Sequence, residues 1–410
     1  MTTTLNTEKK LTASEARKLF PGLNDKVFLD AACVSLIPTS AKAAIENFLD
    51  MALYCRAKDA SLHHIEMDKM RLEPIEEAAK LLNVPTKNIC LVESTTHGLN
   101  IAANTIPLEE GDTILIPDTE FLQVSIPWMK KQEKINLTIK EVKTKDSKLT
   151  VEDFAELIDE KTKVICTSSV QWCTGHRIDI EALGKLCKEK NIWLVVDGVH
   201  EMGALDVDLS HQYVDFYIAG GHKWLNSPFG CGVMCLSDKV LDTLEPDSYG
   251  YLATEDPEGG WGTYFRTPSI TPFDNFKFLR TAKRFEIAGT SNYPGAIGLG
   301  KSLALVNQIG IRNVEKRIRE LTNLLHQELN KLNVSKVTKE DGDLRSGITV
   351  FSYFNDPEKD LALANQLLKK KIYISLRYTS NLGGLRISTH YFNNEEDIFK
   401  LIQGIKEATK

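Results

Sequence analysis

The sequence predicts an α/β protein built on a parallel or mostly parallel sheet, and three observations carry that prediction. Between about Val27 and Leu236, short apolar runs rich in β-branched residues alternate with stretches of helical periodicity. The runs are continuously apolar, the pattern of strands covered on both faces. Polar residues end several of them, and ligands sit beyond the carboxyl ends of strands in such sheets.

Along the chain, residues 1–25 read as an N-terminal segment packing on a smaller domain. "ESTTHGLNIAANTI" then sets Ser94, Thr95 and Thr96 before a helical stretch. Hydroxyls and free N–H groups at a helix N-terminus serve either as an ordinary cap or as an anion site. "TILIP", "KVICTSS", "IWLVVD", "VDFYIAGG" and "CGVMCL" read as strands, and "IEALGKLCKEKN" as a connecting helix with Asp179 as N-cap. Residues from Glu245 to Phe285 are rich in Pro, Gly and aromatics and read as a long irregular excursion, a lid or a partner-facing loop. Val314, Ile318, Leu321, Leu325 and Leu329 recur at helical spacing and predict a packed amphipathic helix. "SGITVFSY", "YISLRY", "GLRISTHY" and "NEEDIFKLIQGIKEA" suggest a small antiparallel sheet backed by helices. The expected division is a large α/β domain over 26–285 and a small α+β domain over 286–410.

With 410 residues and 42% hydrophobic content, the chain can bury a large core. A formal charge of −6 offers no basic field for nucleic acid or anionic lipid, so neither is an expected partner. The first ten residues contain no apolar stretch of signal-peptide length, and no apolar run approaches a membrane span; a cytoplasmic location is expected. The eight cysteines show no CxxC pair and no metal spacing, so they read as core thiols, without a metal site or disulfide.

"AGGHKWLNSPFG" places Lys223 in an apolar setting at the end of a strand. Such a lysine either snorkels to solvent or, desolvated, loses proton affinity and attacks a carbonyl to form a Schiff base. Asp197 closes "IWLVVD" and is either a cap or a buried carboxylate that needs a cation.

"VVDGVHEMGALDVDL" followed by "GGHKWLNSPFGCGVM" resembles the class V aminotransferase family of fold-type I pyridoxal phosphate enzymes. Cysteine desulfurases, isopenicillin N epimerase-like proteins and C–S lyases belong to it. The similarity extends from "VFLDAACVSLIP" to "LRISTHYFNNEEDI", and implies a seven-stranded, mostly parallel sheet in the large domain. By resemblance, Lys223 carries pyridoxal 5'-phosphate and transfers protons, Asp197 pairs with the pyridine nitrogen, and His200 and Gln171 flank the ring. Thr95, Thr96 and His222 hold the phosphate. Thr290 reaches the phosphate of the other subunit, which implies a homodimer. Arg386, assisted by Arg377, takes the carboxylate of an amino-acid substrate, with Ala32 also at that site. Gly220 departs from the family pattern, since many relatives have a phosphate-binding serine there.

The reaction itself branches after removal of the α-proton into elimination, transamination or epimerisation. Desulfurases place a histidine over the ring, where this chain has Phe121, and a nucleophilic cysteine on a loop, where "SLRYTSNLGGLRIS" has none. Elimination from a cysteine-type substrate is the favoured expectation, ahead of transamination and epimerisation. An inactive relative should have lost Lys223, Asp197 or Arg386. A nucleotide-binding module should show a glycine-rich phosphate loop after a strand, which is absent here. Tyr249, Tyr251, Trp261 and Tyr264 in the excursion are candidates for side-chain recognition.

Overall fold

The computed structural model describes residues 10–55, 67–339, 342 and 345–410, so the first nine residues of the N-terminal segment lie outside the described residues. The first strand, β1 (Val27–Phe28), does not join the central sheet. It pairs in parallel with Ile372–Tyr373, and Val27 and Leu29 pack among Leu325, Ile372 and Ile398. An apolar pair carries no information about which sheet receives it, so its partner is a tertiary outcome.

The central sheet comprises β2 (Ile89–Val92), β3 (Thr113–Pro117), β4 (Thr138–Val142), β5 (Thr162–Ser168), β6 (Trp193–Asp197), β7 (Phe216–Gly220) and β8 (Gly232–Leu236). The strand order is β2-β8-β7-β6-β5-β3-β4. Only β8 runs against its neighbours; every other pairing is parallel. Because β2 and β7 are both antiparallel to β8, they point the same way, and six strands deliver their carboxyl ends to one edge. The expected mostly parallel, seven-stranded sheet is therefore present. Strand β4 at the sheet border keeps Thr138 and Glu141 exposed, so it lacks the continuous apolar signature that marks β3 and β5 to β8.

The helix Ile180–Lys190 is capped as predicted: Asp179 accepts the Ala182 N–H at 2.9 Å. The helix Ile311–Leu329 buries Val314, Ile318, Leu321, Leu325 and Leu329 completely or nearly so. Beyond it come β9 (Ser335–Lys336), β10 (Ile348–Ser352), β11 (Ile372–Tyr373), β12 (Ser375–Thr379) and β13 (Leu382–Ser388). Strands β12-β13-β10-β9 form the antiparallel sheet of the smaller C-terminal domain, backed by Pro357–Lys369 and Glu395–Ala408. The N-terminal helix Ala13–Arg17 reaches this layer through Arg17, which pairs with Asp397 at 2.9 Å. Residues 245–285 contain only short helical turns and one bridge, Thr254 to Phe278. No helix among the described residues is long and apolar enough to cross a membrane.

Candidate active site

Asp197 is the last residue of β6, and Lys223 follows the end of the adjacent parallel strand β7, so chain direction brings both to one edge. Asp197 is buried; its carboxylate accepts the Val199 N–H at 2.9 Å, and no described residue forms an ion pair with it. Burial pushes its pKa up to about 7, against the pull of Lys223. Desolvation lowers Lys223 to about 8, against the pull of Asp197. His200 lies between Lys223 and Trp224: its Nε2 is 3.3 Å from Lys223 Nζ, and its Nδ1 accepts from Trp224 Nε1 at 3.1 Å. Burial and the adjacent Lys223 hold His200 well below the usual imidazole range, so it is neutral.

The second part of the site is a helix start. Ser94 caps Thr95–Thr105 by accepting the His97 N–H at 3.1 Å, which leaves the N–H groups of Thr95 and Thr96 at the helix mouth. Thr95 Oγ1 accepts the Gly220 N–H at 2.9 Å, joining this helix to the end of β7. Thr96 is exposed and His222 half-buried, its pKa lowered to about 4 by burial.

A third wall comes from the segments after β3 and β5. Phe121 lies edge-on to Trp172 at 5.4 Å, with its ring centroid 5.9 Å from Lys223 Nζ. Gln171 donates to Glu120 Oε1 at 2.7 Å and accepts from Thr119 Oγ1 at 2.9 Å. Glu120 also accepts from the Ser168 backbone N–H at 2.6 Å, the Ser168 hydroxyl at 2.5 Å and the Thr167 hydroxyl at 3.1 Å. Burial raises its pKa despite these bonds.

The fourth wall is the β12–β13 hairpin. Arg386 is 2% exposed; it donates to Trp172 O at 3.2 Å, lies 3.6 Å from Asp30 Oδ1, and leaves Nε without a partner. Arg377 donates to Leu376 O at 2.8 Å and meets the Cys33 thiol at 3.2 Å. Ala32 and Cys33 belong to a turn held against this edge by the Ser35 N–H, which donates to His222 O at 2.8 Å. Lys223, Asp197, His200, His222, Thr95, Phe121, Arg386 and Arg377 thus fall at one end of the sheet, with Gln171 close by. Thr290 lies exposed before the helix Tyr293–Ile309, and no described hydrogen bond joins it to this group. Sequence reasoning missed Glu120, Asp30, Cys33, Trp172 and Trp224. The first three lie within five residues after a strand end, in "DTEF" and "LDAAC", a looser form of the positional signal that marked Asp197.

The family model described as aminotransferase class-V matches residues 27–401. The chain belongs to that family. Class-V enzymes depend on pyridoxal phosphate, and this chain is one of them. It is 24% identical over 408 residues to a probable cysteine desulfurase of Methanothermobacter thermautotrophicus, covering 96% of this chain and 97% of that one. It is 25% identical over 396 residues to the isopenicillin N epimerase of Streptomyces clavuligerus, covering 94% and 97%. In fold it matches the solved complex of the cystine C–S lyase C-DES with cysteine persulfide, with a TM-score of 0.83, 23% identity and coverage of 94% and 98%. The class-V cofactor carries a phosphate, a ring nitrogen and an aldehyde. The residues present fit it: a helix mouth with two hydroxyls, a buried carboxylate short of a cation, and an amine of lowered proton affinity.

Proposed function

We propose that this class-V enzyme is a C–S lyase that eliminates the sulfur substituent of a cysteine-type amino acid. The observation that carries the reading is the β12–β13 hairpin. Ser380 and Asn381, at φ 47° and 62°, close a two-residue turn between the paired Thr379 and Leu382. Ser380 Oγ tacks that turn to Asp118 O. By resemblance, desulfurases carry a mobile cysteine in this stretch; here it is a closed hairpin without one. The name of the structurally similar C-DES, a cystine C–S lyase, suggests the substrate class.

Pyridoxal phosphate, when bound, supplies an aldehyde for the substrate amine and a ring that accepts the electron pair released at the α-carbon. Lys223 would anchor it and remove the α-proton; with a pKa of about 8, roughly a tenth of the free amine is neutral near pH 7. Asp197 would pair with the cationic ring nitrogen, His200 and Gln171 would contact the ring, and Phe121 would pack against it. Thr95, Thr96 and the helix N–H groups would hold the phosphate, with His222 contributing a neutral hydrogen bond. Arg386 orients the α-carboxylate with the help of Arg377, in a wall that includes Ala32 and Cys33. The departing thiolate needs a proton, and Lys223 holds the one it has just removed.

Incubating pure enzyme with cystine and S-substituted cysteines is expected to yield pyruvate and ammonia with no added keto acid, and cysteine itself is expected to leave no persulfide on Cys33. Turnover only with 2-oxoglutarate or pyruvate present would make it an aminotransferase. Deuterium entering the α-carbon with inversion and without elimination would make it an epimerase, and release of alanine from cysteine with a persulfide left on Cys33 a desulfurase.

A further inference from the structure

We infer that Trp224 is a positioning residue that favours the neutral, proton-accepting form of the Lys223 amine, acting through the tautomer of His200. The inference rests on the reading that Lys223 captures the carbonyl of the cofactor. An indole N–H donates and cannot accept, and Trp224 Nε1 lies 3.1 Å from His200 Nδ1. Nδ1 must therefore present its lone pair. A neutral imidazole carries one N–H, which places it on Nε2, 3.3 Å from Lys223 Nζ. Facing an ammonium, that N–H would set two donors against each other; facing a neutral amine, it donates to the lone pair.

The indole has no freedom to turn away. Trp224 is fully buried and stacked on His390 at 5.2 Å and 20°, and a Cβ on Gly347 would lie 2.5 Å from its ring. His390 Nδ1 accepts the Tyr391 N–H at 2.9 Å, so its Nε2 donates to Trp224 O at 3.1 Å and pins the backbone as well. The other groups acting on Lys223 are Asp197, which favours the ammonium, Arg386 and Arg377, which oppose it, and the Cys33 thiol; His222 lies alongside and is neutral. Asp197 is the one carboxylate among them, and the His200 N–H opposes its pull.

Trp224→Phe keeps an aromatic ring and removes the N–H. His200 can then protonate Nδ1 and accept from Lys223 through Nε2, which favours the ammonium. In the apoprotein, the pH dependence of Lys223 acetylation by acetic anhydride, read by peptide mass spectrometry, is expected to shift upward by about one unit. Labelling at pH 7 should then fall about tenfold, with exposed Lys316 unchanged as internal control. Nitrogen NMR of histidine-labelled parent protein, with His200 assigned by His200→Gln, reads the tautomer without the Trp224 variant. A pyridine-type Nδ1 and protonated Nε2 are expected. A proton on Nδ1 in the parent, or an unshifted Lys223 profile in folded Trp224→Phe, would overturn the inference. Failure of borohydride to fix the cofactor on Lys223 would instead remove the functional reading, and neither of these readouts depends on it.

Discussion

Gly220 donates its backbone N–H to Thr95 Oγ1 at 2.9 Å, and a Cβ added to Gly220 would lie 2.9 Å from that same oxygen and 3.1 Å from His222 Nδ1. The position where many class-V relatives carry a phosphate-binding serine is here packed against both neighbours. Gly220→Ser, although it adds a hydroxyl, is therefore expected to loosen the cradle. Overpacking of this kind costs about 1–3 kcal/mol, which corresponds to about a 5- to 150-fold loss in cofactor retention, measured by absorbance after dialysis. Tighter retention in the variant would show that Thr95 and His222 yield to the new side chain.

Glu120 gathers hydrogen bonds from Ser168, Thr167 and Gln171 in a buried pocket. Glu120→Ala leaves those donors unpaired and should cost about 3 kcal/mol, seen as a lower urea midpoint at unchanged m-value. Gln171 would also lose its fixed orientation, so the variant should bind pyridoxal phosphate more weakly. An unchanged midpoint would mean that solvent replaces Glu120 without penalty.

The pKa of Asp197 is raised from 3.8 to about 7 in the fold, so the native state binds more protons than the unfolded chain between those values. The stability it contributes is present below its ordinary pKa and is lost as pH rises through about 7. Lys223 runs the other way: its pKa is depressed to about 8, so its contribution is present above its ordinary range and lost as pH falls through about 8. Both contributions are weakest between these two values, and the apoprotein should show a dip in melting temperature there. Asp197→Asn should remove the acid side of that dip while the rise at higher pH remains, with a difference on the order of 1 kcal/mol per pH unit. Identical pH profiles for parent and variant apoproteins would refute the assignment.

Thr290 lies exposed, with no described hydrogen bond to the Lys223 cluster, and Leu53 and Phe273 leave 72% and 91% of their surface in contact with solvent. We propose a homodimer in which Thr290 completes the phosphate site of the other subunit. Light scattering should give a dimer, and Thr290→Ala should reduce cofactor retention several-fold while the apoprotein melts unchanged. A monomer that keeps its cofactor would contradict this.

The sequence by itself determined the α/β class, the five apolar strands of the central sheet, the Asp179 cap and the buried face of Ile311–Leu329. Each is a local pattern: continuous burial, a side chain reaching three residues ahead, or a helical period. The residues that end strands were legible for the same reason, since chain direction in a parallel sheet sends every carboxyl end to one edge. Tertiary structure decided what no local pattern encodes. It assigned Val27–Phe28 to Ile372–Tyr373, because two apolar residues suit either sheet. It brought Cys33 to Arg377 and Asp30 to Arg386, partners more than 300 residues apart. It also oriented the His200 ring between Trp224 and Lys223. Which nitrogen of that ring carries the proton follows from the donor packed against it, and packing is settled only when the whole chain has folded.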